Sequence, residues 1–177
     1  MININDLINI LKKYHFSEDA IQKITKLKSL KRKKNIEEIE NIILTIQNNF
    51  FSLDILLKCP SILGCGKANE INDIINVLKD NQIQLSIIEQ CPSILAMGKA
   101  NEIIDIIKFL KDNQVNLSII EQCPSILAKG KTKKIIDIIN VLKDNQVNLS
   151  IIEQCPTILA KAKAKKIIDI INVLKDN

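Results

Sequence analysis

LSIIEQCPSILAKGKTKKIIDIINVLKDNQVN, running from Leu117 to Asn148, is one tile of a repeating text. The same words open at Leu85 and at Leu149, and a drifted copy opens at Leu53. Pro60, Pro92, Pro124 and Pro156 stand 32 residues apart, each preceded by Cys and followed by Ser/Thr-Ile-Leu. A fixed period of this size marks a solenoid, in which each unit hides its apolar side against its neighbours. The expected fold class is all-α, an α-solenoid of 32-residue repeats, each a short helix, a Pro turn, a loop and a long helix.

Local signals inside the tile support that order. Ser86, Ser118 and Ser150 each stand three places before a Glu, the spacing of a capping box at a helix start. The short helix must stop at the cysteine, because the residue before proline is pushed out of the α region. Pro-Ser-Ile-Leu is then expected to make a tight 3₁₀-like turn that returns two aliphatic side chains to the core. A long helix follows, from about Ala100 to Asp112, with Ile103, Ile104, Ile107 and Leu110 inward and Asp105, Lys108 and Lys111 outward. Asn113 is placed at the left-handed position that ends it.

Residues 53–177 thus hold four tandem repeats, and residues 1–52 read as an N-terminal cap with a degenerate repeat. The cap is expected to have a helix over residues 3–14 started by Asn3 or Asn5, a short one with Ser17 as N-cap, a Lys-rich connection over Lys26–Lys34, and a helix from Ile36 to Asn48. Terminal units of a solenoid replace one stacking face by polar surface. The text stops at Asn177, at the Asp-Asn that closes every long helix, so the last helix tolerates exposure, docks on something, or belongs to a longer chain.

Composition sets outer bounds. Aromatics are scarce, with no Trp and four Phe among 177 residues, so Ile and Leu must fill the core. Cys59, Cys91, Cys123 and Cys155 recur once per unit, and equivalent residues of stacked helices lie about 8–10 Å apart, beyond disulfide reach. They are read as small buried core residues of an intracellular protein in a reducing compartment, whether cytoplasm, nucleus or organelle. No pair has zinc-site spacing, so no metal is expected. No apolar run approaches a membrane span, and the first residues read as an amphipathic helix rather than a secretory or transit segment.

Catalysis is not expected either. His15 stands alone beside Tyr14 and is read as a surface or helix-end residue. The Gly-Lys pairs are too short for a phosphate loop or dinucleotide fingerprint, and no cofactor is expected.

The informative place is the loop before each long helix. Lys67, Lys99, Lys131 and Lys163 share one register and should stack into a ladder beside parallel helix N-termini. Free N–H groups there favour anions, and Gly66, Gly98 and Gly130 would let backbone approach one closely. Asn69-Glu70 and Asn101-Glu102 become Lys133-Lys134 and Lys165-Lys166 in the last two units. Lys in a first helical turn costs about 0.3–1 kcal/mol per charge, so an external anion accounts for the change better than folding does, with drift after duplication as the rival. Net charge is +3 over residues 1–52, −1 in each of the first two units and +2 in each of the last two. Basic charge therefore gathers at both ends, with Lys31–Lys34 at one of them. Cys65, Met97, Lys129 and Lys161 share a varying loop position and are the candidate base-proximal residues, although their types follow no standard base pairing.

The recurring Cys-Pro-Ser-Ile-Leu resembles the repeat of the mitochondrial transcription termination factor (MTERF) family, a proline with leucine three places on. Here that is Pro60 with Leu63, Pro92 with Leu95, Pro124 with Leu127 and Pro156 with Leu159. The resemblance implies an α-solenoid that binds nucleic acid, usually double-stranded DNA, in organelles. Gly66-Lys67, Gly98-Lys99 and Gly130-Lys131 are also similar to the repeats of transcription-activator-like effectors, which implies DNA again with Gly-Lys on the backbone. Together these readings make the chain a non-enzymatic nucleic-acid-binding protein, with duplex DNA favoured over RNA and a role in transcription regulation or termination. The backbone contacts would come from Lys67, Lys99, Lys129, Lys131, Lys133, Lys134, Lys161, Lys163, Lys165 and Lys166. The alternative is a scaffold for an acidic protein partner, which the single Arg and few aromatics disfavour.

Overall fold

A computed structural model of the chain describes residues 3–27, 30, 35–129 and 131–175. Expectations that fall on Lys31–Lys34, Gly130, the Lys129 side chain and Asn177 lie outside the described residues. All regular structure among the described residues is helical. The chain begins with α1 (Ile4–Lys13), α2 (Glu18–Thr25) and α3 (Ile36–Asn48), capped by the side chains of Asn3, Ser17 and Asn35. Three-helix units follow: α4 (Asp54–Lys58), α5 (Ser61–Cys65) and α6 (Ala68–Asp80), then α7 (Ser86–Gln90), α8 (Ser93–Met97) and α9 (Ala100–Asp112). Next come α10 (Ser118–Gln122), α11 (Ser125–Lys129) and α12 (Thr132–Asp144), and finally α13 (Ser150–Gln154), α14 (Thr157–Lys161) and α15 (Ala164–Lys175).

The proline segment extends beyond the expected turn. Cys59 stands at φ −139°, ψ 72°, outside the α region as its following proline requires. The chain then re-enters a helix at once, because Pro60 at φ −61° is already set for a first helical turn and has no N–H to leave unpaired. The expected 3₁₀-like turn is present, since the Ile62 and Leu63 amides donate to the Cys59 and Pro60 carbonyls three residues back, and it runs on into a second five-residue helix in each unit. The two aliphatic residues do return to the core: Ile62, Leu63, Ile94 and Leu95 are buried.

The capping box is also corrected. Ser118 and Ser150 are first helical residues, and their amides donate to Asn116 Oδ1 and Asn148 Oδ1, both at 2.9 Å. The glutamates three places on reach back 37 residues, across the whole preceding unit to the residue just before it. Glu121 Oε1 accepts from the Gln84 amide at 3.1 Å, and Glu153 Oε1 accepts from the Asn116 amide at 3.3 Å. A carboxylate that looked local in sequence is a strut between units.

Like helices stack on like. Each long helix packs on the next long helix, α3 on α6 through α12 on α15, while α5, α8, α11 and α14 stack in a second row. One continuous core runs through the stack and includes Ile71, Ile74, Ile75 and Leu78 of α6. Each such side chain, fully buried, is worth about 1.5–3 kcal/mol. In α9 the inward set is Ile103, Ile106, Ile107 and Leu110, while Ile104 is exposed. Three of the four expected residues are inward and Ile106 takes the place of Ile104, because the helix buries two sides, against α6 and against α12. The cysteines are graded rather than uniformly buried: Cys123 is buried, Cys59 and Cys91 half-buried, Cys65 and Cys155 exposed.

Long helices end in the same way. Asn113 is the C-cap at φ −98°, ψ 13°, and the left-handed residue is its successor Gln114 at φ 56°. Gln82 and Gln146 match it, and the Gln114 and Val115 amides close back on Lys111 and Leu110 carbonyls. Asn81, Asn113 and Asn145 each donate from Nδ2 to a carbonyl of their own helix and accept at Oδ1 from the lysine 30 residues on, Lys111 (2.8 Å), Lys143 (3.1 Å) and Lys175 (3.0 Å). Asn49 and Lys79 form the same pair at 3.4 Å.

Candidate nucleic-acid interface

Stacking of like helices puts the N-termini of α6, α9, α12 and α15 along one side. The residue before each, Lys67, Lys99, Lys131 and Lys163, is exposed. Lys67, Lys99 and Lys131 hold extended backbone and make no side-chain cap to their helices. Cys65, Gly66 and Lys67 line one shallow cleft of about 240 Å³ together with Met97, Gly98 and Lys99, so these two corners face the same solvent space. Lys161, Lys163 and Lys166 border a wider concavity of about 540 Å³ at the far end, with Cys155 and Thr157 on its wall.

The glycine corners are closely packed. Gly66 and Gly98 have ordinary negative φ, −66° and −68°. A Cβ on Gly66 would lie 2.7 Å from the Ile62 carbonyl oxygen, and one on Gly98 would lie 2.4 Å from that of Ile94. The last unit carries Ala162 at the same register with the same backbone, φ −69° and ψ 162°, so the tight turn over the preceding helix favours a small residue and does not itself demand glycine.

The helix N-termini are not equally open. Glu38 Oε1 accepts from the Ala68 amide at 2.9 Å, and Glu70 Oε1 from the Ala100 amide at 2.7 Å. The first turn of one long helix thus caps the next, a negative charge placed against a positive dipole end. Glu102 pairs instead with Lys99 at 3.5 Å. Among the described residues no carboxylate accepts from the Thr132 or Ala164 amide.

The lysines that replace these glutamates divide into two kinds. Lys134, half-buried, donates from Nζ to the Ala160 carbonyl at 2.7 Å, closing the C-terminal end of α14. A lysine there is favourable for folding, so this position needs no external anion. Lys133, Lys165 and Lys166 are exposed, as are Lys131, Lys161 and Lys163. Of the varying loop position, Cys65 and Met97 lie in the first cleft and Lys161 borders the far concavity.

Two sets of residues were missed in the sequence, the capping glutamates Glu38 and Glu70 and the Asn–Lys pairs at the opposite helix ends. The signal for the second set was a Lys-Asp-Asn repeated at residues 79–81, 111–113, 143–145 and 175–177. Displaced proton affinities among the described residues lie in the cap, away from the lysine corners. Lys13 is raised and Glu40 lowered, chiefly by their mutual hydrogen bond at 2.6 Å, and Tyr14 is raised by burial and its bond to Glu40. His15 is exposed just past α1 at φ 61°. No helix among the described residues is long and apolar enough to cross a membrane.

In a comparison with known protein families, the model of the mTERF family matches residues 2–177. No curated protein and no solved structure matches the chain.

Proposed function

Since the chain belongs to the mTERF family, whose members are generally non-enzymatic nucleic-acid-binding helical-repeat proteins of transcription or its termination, we propose that it binds duplex DNA through its phosphates. The contacts are the exposed lysines at the N-terminal ends of the long helices, and the last two units carry most of them. Supporting this is one observation above others: the Glu38 and Glu70 caps close the first helix N-termini, while among the described residues no carboxylate accepts from the first amide of α12 or α15 and exposed lysines gather there. Open amides and unpaired ammonium groups at one edge suit an anion that recurs along a chain.

Lys131, Lys133, Lys163, Lys165 and Lys166 form the centre of this surface. Lys67, Lys99 and Lys161 extend it, as do Lys129 and Gly130 in the assignment from sequence. Cys65, Met97, Lys129 and Lys161 face the bases in this reading and set little sequence preference. Regulation or termination of transcription follows from occupancy of the duplex. The test is titration of a random-sequence duplex at two salt concentrations, comparing the protein with a variant carrying Ala at Lys131, Lys133, Lys163, Lys165 and Lys166. Lys134 stays in place because it holds α14. The variant should bind more weakly and lose much of the salt dependence, whereas equal affinity would end the proposal.

A further inference from the structure

Glu38, Glu70 and Glu102 occupy one register position of successive long helices, and Lys134 and Lys166 follow at the same 32-residue interval. The first two glutamates cap the long helix that starts 30 residues on, with a carboxylate oxygen 2.9 Å from the Ala68 nitrogen and 2.7 Å from that of Ala100. These helix N-termini therefore take one anionic oxygen on the first amide. Glu102 stands in the same relation to Thr132, and its carbonyl oxygen lies 3.5 Å from the Thr132 hydroxyl, so the two residues are neighbours. Its carboxylate is nevertheless turned to Lys99 Nζ, at 3.5 Å. Glu38 and Glu70 are half-buried, whereas Glu102 is exposed.

Glu102 is thus the last carboxylate of the row, at the border between the closed corners and the open ones. Two partners lie within its reach, and both belong to the phosphate surface. Turned one way it neutralises Lys99; turned the other it fills the N-terminus of α12. An exposed ion pair holds its side chains only weakly, so exchange between the two is easy. In either position a phosphate meets one contact fewer. On the duplex reading above, on which this inference rests, we propose that Glu102 is a built-in competitor of the phosphate backbone and limits affinity at the first open corner of the array.

Glu102→Gln deletes the charge and keeps the size of the side chain. It frees about one phosphate contact, so the slope of log affinity against log salt steepens by about 0.9. Loss of any negative charge favours a polyanion, and a matched change elsewhere isolates the local effect. Asp112→Asn makes the same change at the far end of α9, about 15 Å along the helix and beyond the screening length of about 8–10 Å.

The test compares the 177-residue protein with these two variants in titrations of a random-sequence duplex across salt. Inorganic pyrophosphate, followed by NMR at the Thr132 amide, probes the corner itself. Glu102→Gln should bind duplex about three- to tenfold more tightly with the steeper slope, and Asp112→Asn should bind as the parent does. Pyrophosphate should shift the Thr132 amide at severalfold lower concentration in Glu102→Gln than in the parent. The urea midpoint should stay where it was, which separates Glu102 from the cap Glu70. If the parent binds duplex and Glu102→Gln only matches it, or only matches an equally improved Asp112→Asn, the competitor is overturned while the duplex reading stands. If no form of the protein binds duplex, that reading falls and the Thr132 amide decides. Earlier saturation in Glu102→Gln would then support competition for phosphate, and an equal or absent response would overturn it.

Discussion

Gln114 shows what one residue contributes to a repeat. It sits at φ 56°, where any side chain with a Cβ is strained by about 1–2 kcal/mol and glycine is not. Gln114→Gly should therefore raise stability by about 1 kcal/mol in urea unfolding, and Gln114→Val should lower it by a similar amount. Glu70 makes the complementary case. Its carboxylate is the cap on the Ala100 amide, so Glu70→Ala should cost about 1 kcal/mol in the same measurement, while Asn69→Ala, an exposed neighbour, should be close to neutral. Lys134 stands at the equivalent place two units later and serves the opposite helix end, by donating to the Ala160 carbonyl. One register position thus stabilises the stack with either charge, depending on which backbone group of the next unit it reaches.

At the scale of elements, the Asn–Lys pairs tie successive long helices at their C-terminal ends. Asn113 closes the Phe109 carbonyl and receives Lys143, so Asn113→Ala loses two hydrogen bonds and should cost about 1–2 kcal/mol, read from chemical denaturation. Lys143→Met removes only the exposed partner and should cost less. The element plan was legible in the sequence, because a period, a proline and an Ile/Leu stripe are local signals. Ile36–Asn48 and Ala100–Asp112 appear at the expected bounds. Where the reading missed, the deciding partner lay in another unit. Glu121 looked like a cap for its own helix and instead holds the Gln84 amide, 37 residues away. The helix after each proline was missed for a different reason: five residues are too few for a hydrophobic period to show. The lysine corners were readable from their register, but their openness was not, since the Glu38 and Glu70 caps act across a unit boundary.

For the whole molecule, charge and stability are distributed differently along the array. Each unit contacts its neighbours, so removing residues 85–116 joins two matching faces and should leave a folded, shorter stack. Its unfolding midpoint should fall while duplex affinity changes little, because that unit lacks the paired lysines; circular dichroism and a binding titration read both. The account distinguishes two rows of lysine at opposite ends of the long helices. Lys79, Lys111, Lys143 and Lys175 are held by asparagines, and Lys131, Lys133, Lys163, Lys165 and Lys166 face solvent. The most direct measurement is the slope of log affinity against log salt for a duplex, taken with each row changed to Ala in turn. Loss of the second row should make the slope shallower by up to about 4.5, at about 0.9 per phosphate contact. Loss of the first row should lower stability and leave the slope where it was. A slope that falls with the asparagine-held row and survives removal of the other would contradict the assignment of the interface.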